Sequence, residues 1–224
     1  MRTVIAGAVA ILMAGSAIAD TSFELKSEDE KLSYIFGYQL GQRLANDGVN
    51  VNIEVYTKAL REGLDGEEFR MTPAEMQQVM SAFQANAAER VKALAEGNRE
   101  AGKAYMAENR AKSGVVTLDS GLQYKVIEPG EGAKPKATDT VEVHYRGTLI
   151  DGREFDSSYS RNAPATFPVN RVIAGWTEIL QMMPVGAKYE VTIPSGMAYG
   201  ERGSQPMIGP NSVLNFEIEL LDIK

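Results

Sequence analysis

The period of the hydrophobic pattern changes near residue 114, and this change restricts the fold more than any other feature of the chain. Before it, apolar residues recur every three or four positions, as from Leu32 to Leu44 along one face of a helix. After it, apolar and polar residues alternate, as at Leu122, Tyr124 and Val126. The sequence therefore predicts an α+β protein with a helical N-terminal part and a C-terminal antiparallel sheet.

Three helices are predicted in the N-terminal part. The segment SEDE from Ser27 has the form of a capping box, and TPAE from Thr72 places Pro73 at the first helical position. A shorter helix is expected over 53–64. The third helix would extend from Pro73 to about residue 112.

The apolar stripe of the third helix ends at about Leu94, and the remainder is mostly polar. Two interpretations fit this pattern. The segment is either a flexible charged linker or an exposed stalk that separates two parts of the molecule.

The first two helices each have an apolar face, and so small a bundle offers too little partner surface to cover both faces. We therefore expect them to pack against a second copy of the chain. Methionines at 71, 76 and 80 fit an adaptable interface, and they fit an ordinary core equally well.

Four strands are predicted in the C-terminal half, within the segments GLQYKVI, VEVHY, YEVTI and LNFEIEL. Between the second and third lies RVIAGWTEIL, the one convincing helix of this half, which contains the single tryptophan, Trp176. A short helix across one face of a small sheet leaves a rim where a groove can form.

The first nineteen residues have one basic residue, Arg2, an apolar run and an A-x-A cleavage pattern before Asp20. They predict a secretory signal, and the absence of cysteine favours a bacterial periplasm. The expected organisation is a signal peptide at 1–19, a helical dimerisation domain at 20–71, a long connecting helix at 72–113 and a sheet domain at 114–224.

Charge and composition exclude several kinds of site. The chain has 23 Lys and Arg against 30 Asp and Glu, with no basic block, which argues against nucleic acid as a partner. A single histidine and no cysteine exclude a typical zinc site, so no metal and no cofactor are expected. The histidine, His144, should point away from Tyr145 in its strand and have a structural role.

The C-terminal half carries a dense motif, VHYRGTLIDGREFDSSYSRNAPATFPV, followed by VIAGWTEILQMMPVGAKYEVTIPSGMAYG and IGPNSVLNFEIELLDIK. It resembles the FKBP family of peptidyl-prolyl cis-trans isomerases over essentially all of 114–224. The secretion signal, N-terminal helices and long helix resemble the Mip-like (macrophage infectivity potentiator) branch of Gram-negative bacteria, whose members are V-shaped dimers joined through their N-terminal helices.

The resemblance implies isomerisation of X-Pro peptide bonds in exported proteins, with chaperone activity from a dimeric cradle. Trp176 would be the floor of the proline pocket, the Ile173 N–H and Tyr199 hydroxyl would donate to substrate carbonyls, and Asp156 would be the polar group near the amide. The implied catalytic residues are Tyr145, Phe155, Asp156, Ile173, Trp176 and Tyr199, and the implied substrate-binding residues are Val172, Arg161, Ile208 and Phe216.

Asp156 is not expected to act as a general base, because isomerisation transfers no proton to a side chain. It should instead hydrogen-bond to Tyr145 and Arg161. Two other aromatic residues, Tyr124 and Phe167, are interpreted as core.

The chain departs from the family pattern at two positions. Ala165 stands where many single-domain members have phenylalanine, and Ser204 where they often have histidine. We expect the shallower wall at Ala165 to change macrolide affinity and sequence preference.

The expected partners are proline-containing peptides, unfolded exported proteins and macrolide inhibitors, in the periplasm or at the outer membrane. A second hypothesis stays open, in which the same pocket only grips proline segments as a non-catalytic chaperone or surface interaction module.

Overall fold

The computed structural model describes residues 24–224, which form two compact units, one ending at Thr72 and the other running from Pro73 to Lys224. The predicted signal peptide at 1–19 lies outside the described residues. Within 24–224, no helix combines the length and the apolar character that a bilayer span requires.

The first unit contains helix α1 (Glu28–Asn46) and helix α2 (Ile53–Asp65). The predicted capping box is present: the Glu30 N–H donates to Ser27 Oγ at 3.1 Å, and the Ser27 N–H donates to Glu30 Oε2 at 3.0 Å. Such reciprocal bonds satisfy amide groups that the first helical turn leaves without partners, and so define where α1 begins.

No described residue of α1 or α2 is buried. Large apolar side chains are exposed on both helices; Phe36 of α1 is 62% exposed and Leu64 of α2 is 80% exposed. Where exposed apolar side chains form a contiguous patch, the patch marks an interaction site in soluble proteins.

Helix α3 (Pro73–Arg110) begins at the predicted proline and is continuous, so the alternative of a flexible linker does not hold. At about 1.5 Å per residue it extends for about 57 Å. Its N-terminal half carries exposed apolar residues, among them Met80, Phe83 and Val91.

The polar half of α3 is hydrogen-bonded to the sheet domain. Asn98 Nδ2 donates to the Pro210 carbonyl at 2.8 Å, and Asn109 Nδ2 donates to Gln123 Oε1 at 2.9 Å. Gln123, itself buried, donates back to the Met106 carbonyl at 2.8 Å. The apolar stripe therefore ends near Leu94 because the helix beyond it contacts polar groups of the domain.

Within the described residues, seven strands form one antiparallel sheet in the order β1-β2-β6-β7-β3-β4, with β5 paired to β3. The strands are β1 (Val115–Thr117), β2 (Gln123–Pro129), β3 (Thr140–Leu149), β4 (Glu154–Ser157), β5 (Ala165–Pro168), β6 (Ala187–Ile193) and β7 (Leu214–Ile223). The predicted α+β fold class is confirmed.

The four longest strands are those that alternation predicts. Strands β1, β4 and β5, of three or four residues each, were not predicted because so few residues show no period. Val126 continues the alternation of Leu122 and Tyr124 and pairs with Tyr189 in register, but it is 41% exposed, so this alternation does not bury every apolar side chain of β2. It lies one strand from the sheet edge, beside an irregularity in the pairing of β2 and β6.

Helix α4 (Ala174–Leu180) packs on the inner face of the sheet and closes the core. It is preceded by a 3-10 turn, Val169–Arg171, in which Val169 is buried. The Thr177 hydroxyl donates to the Val169 carbonyl at 2.8 Å and joins turn and helix. These two elements present Trp176 to one end of the sheet.

We expect the Gly102→Ala variant to be less stable than the matched variant Gly97→Ala, whose glycine lies five residues earlier on α3. A Cβ at Gly102 would lie 2.7 Å from Val213 Cγ2, and relieving such overpacking costs about 1–3 kcal/mol. A Cβ at Gly97 meets nothing within 4 Å, and the change raises helix propensity by up to about 1 kcal/mol. Urea unfolding followed by Trp176 fluorescence measures both; equal free energies of unfolding would contradict a packed junction of α3 with the domain.

Candidate active site

A cavity of about 440 Å³ lies between α4 and the inner face of the sheet. A volume of this size fits a small ring with its flanking peptide groups. The cavity is lined by Tyr145, Phe155, Asp156, Phe167, Arg171, Val172, Ile173, Trp176, Tyr199 and Phe216.

Trp176 is only 4% exposed and forms part of the apolar lining. Three rings meet it edge-on: the centroid distances are 5.2 Å to Tyr145, 5.6 Å to Phe167 and 5.3 Å to Phe216, with interplanar angles of 88°, 86° and 81°. Edge-to-face contacts place positive ring edges against negative ring faces and are worth about 0.5–1.5 kcal/mol each beyond burial. The indole is therefore held in one orientation.

The indole Nε1 of Trp176 is buried and has no hydrogen-bond partner among the described residues. A buried donor without an acceptor costs about 1–3 kcal/mol. The aromatic packing around the indole offsets this cost.

Phe155 lies against Phe216, with centroids 5.6 Å apart at 85°. The space for both rings exists because Gly147 of β3 has no side chain: a Cβ there would lie 2.6 Å from the Phe155 ring and 2.9 Å from the Phe216 ring. The glycine in the HYRGT segment thus fixes one wall of the cavity.

Asp156, Tyr145 and Arg161 form a closed set of hydrogen bonds at the polar side. The Tyr145 hydroxyl donates to Asp156 Oδ2 at 2.5 Å, and Arg161 Nη2 donates to the Tyr145 hydroxyl oxygen at 2.8 Å. Arg161 Nη1 donates to Asp156 Oδ1, and its guanidinium lies 5.6 Å from the Tyr145 ring centroid. Both carboxylate oxygens of Asp156 therefore have donors.

These contacts fix the charge states of the group. Burial raises the pKa of Asp156, but the hydrogen bonds from Tyr145 and Arg161 outweigh it and the pKa lies below its usual value. The pKa of Tyr145 is raised, first by burial and then by its bond to Asp156. At neutral pH the phenol is a neutral donor and Asp156 is a carboxylate, which is suited to an electrostatic role and not to proton transfer.

Besides the Trp176 Nε1–H, the Ile173 N–H and the Tyr199 hydroxyl are unpaired donors at the cavity. No acceptor for the Ile173 N–H is found among residues 24–224, whereas the Ile173 carbonyl accepts from the Trp176 and Thr177 amides. The Tyr199 hydroxyl likewise has no partner in the described chain, and its side chain is 41% exposed. Both can donate to carbonyl groups of a bound peptide.

Eight of the ten residues proposed from the sequence line this cavity. Arg161 lies behind Asp156 and outside the lining. Ile208 is buried in the core and is also outside the lining. Its backbone forms two hydrogen bonds with that of Ser204, one of the two departures from the family pattern. Ala165, the other departure, is partly buried against the core and does not line the cavity either.

The sequence interpretation missed two lining residues. Phe167, interpreted from the sequence as a core residue, also lines the cavity. It pairs with the buried Val141 of β3, which places its side chain on the inner face of the sheet. Because β5 has only four residues, its sequence shows no alternation that would have revealed this. Arg171 gave no signal in the sequence because its place depends on the 3-10 turn before α4.

His144 lies on the other face of β3. Its Nδ1 is 3.0 Å from Ser158 Oγ, and its ring stacks on Tyr159 at 4.8 Å. Within the described chain, no group of three or more histidine or acidic side chains could hold a metal ion.

Family models match both halves of the chain. Residues 131–221 match the model described as FKBP-type peptidyl-prolyl cis-trans isomerase, and residues 29–126 match the domain amino terminal to it. The Outer membrane protein MIP of Legionella longbeachae is 42% identical to this chain, over 100% of the chain and 98% of the relative. The chain belongs to the FKBP-type peptidyl-prolyl cis-trans isomerases.

Other members of the FKBP family are similar over almost the same span. Peptidyl-prolyl cis-trans isomerase Mip of Coxiella burnetii is 39% identical over 96% of this chain and 95% of its own length. The crystal structure of FkpA from Escherichia coli superposes with a TM-score of 0.65 at 37% identity, covering 90% of this chain and 99% of FkpA. The resemblance stated from the sequence is confirmed.

We expect Asp156→Asn to destabilise this FKBP domain by up to about 1 kcal/mol at neutral pH, since the pair is partly exposed. The folded pKa lies below the unfolded value of about 3.9, so the stabilisation is complete above about pH 5 and is lost as the pH falls below about 4. Denaturant unfolding of both proteins at a series of pH values measures the difference. A difference that stays unchanged in acid would contradict the assigned interactions.

Proposed function

We propose that this chain accelerates cis-trans rotation of X-Pro peptide bonds in unfolded exported proteins. The observation that carries the proposal is the aromatic cavity around Trp176, with two unpaired donors at its edge. Membership of the FKBP family supports the same activity.

The chemistry requires no bond to break. Resonance gives the peptide C–N bond a rotational barrier of about 18–20 kcal/mol, and uncatalysed X-Pro isomerisation takes tens to hundreds of seconds. In the twisted transition state the amide loses this resonance and much of its polarity. A cavity that excludes water and holds the amide twisted therefore binds the transition state more tightly than the planar ground state.

The lining residues suit such a role. The proline ring would rest on Trp176, between Phe155, Val172 and the other aromatic walls. The Ile173 N–H and the Tyr199 hydroxyl would hold the carbonyls on either side of the ring and set the twist.

Asp156, held in one orientation by Tyr145 and Arg161, would present a fixed polar wall beside the amide. Because its two oxygens already have donors, it would not reorganise during the reaction. Macrolide inhibitors, expected from the family resemblance, would bind in the same cavity, and Ala165, which lies outside its lining, would not contact them there.

We further propose that the chain is a homodimer joined through α1 and α2, whose apolar residues have no cover within the described chain. The paired units would form a cradle that holds unfolded clients. The proposed location is the periplasm, based on the predicted signal peptide. The name of the Legionella relative, Outer membrane protein MIP, supports an association with the outer membrane.

An isomerisation assay with X-Pro peptides distinguishes catalysis from binding of proline segments without catalysis. Tyr199→Phe removes one hydroxyl from a partly exposed side chain, so the fold should persist, and kcat/KM should fall about two- to tenfold, the value of one hydrogen bond. Trp176→Ala should abolish most activity, although removing this buried ring also costs about 3–5 kcal/mol of stability.

Tyr38→Phe on α1 is the matched control, since this tyrosine is exposed in the other unit. It should isomerise peptides at the parent rate. Light scattering should give the same dimer for Tyr199→Phe as for the parent chain. A folded parent protein with no acceleration over buffer would favour the non-catalytic alternative.

Deleting residues 20–71 should give a monomer that retains peptide isomerisation, because the unit from Pro73 to Lys224 keeps the whole cavity. Refolding of a proline-limited protein substrate should be accelerated much less than by the full chain, since the client-binding cradle is lost. Light scattering and the two assays measure this. Equal performance of both forms on the protein substrate would argue against the cradle.

A further inference from the structure

We infer that Arg171 makes the site select for peptides with an acidic residue next to the proline. This inference rests on the proposed isomerase function and specifies its substrate class. It follows from the charges at the cavity and from which of them already have partners.

Arg171 ends the 3-10 turn Val169–Arg171, and the two residues after it, Val172 and Ile173, also line the cavity. Its side chain is therefore at the edge of the cavity, two residues from the amide proposed to hold a substrate carbonyl. In the proposed binding mode, a residue directly before or after the proline would lie close to this edge of the cavity.

Arg171 and Asp156 are the charged residues that line the cavity. Asp156 is already paired with Arg161, so those two charges offset each other. Arg171 is exposed and has no carboxylate partner among residues 24–224. The cavity edge thus carries one uncompensated positive charge.

The formal charge of the whole chain is −7, which disfavours acidic ligands at long range. Exposed charges are screened over about 8 Å at physiological ionic strength, so the nearby guanidinium dominates at the cavity. Arginine also presents paired donors that match a carboxylate. A glutamate beside the proline can form this pair without displacing an existing partner.

The expected preference is modest because the guanidinium is exposed. Ion pairs of exposed groups change an equilibrium by about 1.5- to fivefold. We expect kcat/KM to fall by this factor from glutamate to glutamine, and again from glutamine to lysine.

The test uses the full chain and two peptide series, with glutamate, glutamine or lysine either directly before or directly after one proline. At least one series should follow the order glutamate, glutamine, lysine. Raising the salt concentration to about 1 M, where the screening length is about 3 Å, should bring the three rates together.

Three variants locate the effect. Arg171→Gln should reduce the ratio of glutamate to glutamine rates to about one, whereas Arg171→Lys should keep most of it. Lys134→Gln removes one positive charge from the exposed loop between β2 and β3, away from the lining, and should leave the ratio unchanged. Because each ratio is internal to one protein, partial unfolding of a variant does not change it.

The outcomes separate this inference from the proposed function. No acceleration of any peptide would overturn the isomerase itself. Two results would overturn the role of Arg171 without contradicting the isomerase activity. One is equal acceleration for glutamate, glutamine and lysine peptides in both series. The other is a glutamate-to-glutamine rate ratio that is unchanged in Arg171→Gln.

Discussion

The orientation of one indole is the constraint on which the site depends. Trp176 comes from α4, while the three rings that meet it edge-on come from β3, β5 and β7. The floor of the cavity therefore exists only when helix and sheet are assembled. Since none of the four rings can turn without disturbing the others, the cavity is shaped before a peptide arrives, which reduces the ordering cost of binding.

Some polar groups around the Trp176 indole have hydrogen-bond partners within the described chain, and others have none. Tyr145, Asp156 and Arg161 bond to one another and form a fixed electrostatic wall. The Ile173 amide and the Tyr199 hydroxyl have no partners in the described chain and remain available to a ligand. A site that leaves its ligand-binding donors free binds a peptide without first breaking internal bonds.

Helix α3 joins two kinds of surface. Its polar half is hydrogen-bonded to the sheet domain through Asn98, Met106 and Asn109. Its apolar half, like α1 and α2, has large side chains that stay exposed among residues 24–224. The unit with the cavity has its own buried core, whereas the apolar side chains of the helical part stay exposed.

The sequence alone determined the elements whose signals are local: the change of period near residue 114, the starts of α1 and α3, and the four long strands. The motif around Trp176 also indicated most of the cavity. Only the tertiary structure decided that Phe167 and Arg171 line it, that Arg161 and Ile208 do not, and that β1, β4 and β5 exist. Short strands and lining positions depend on pairing with residues far along the chain, and such pairing leaves no periodic trace in a segment of three or four residues.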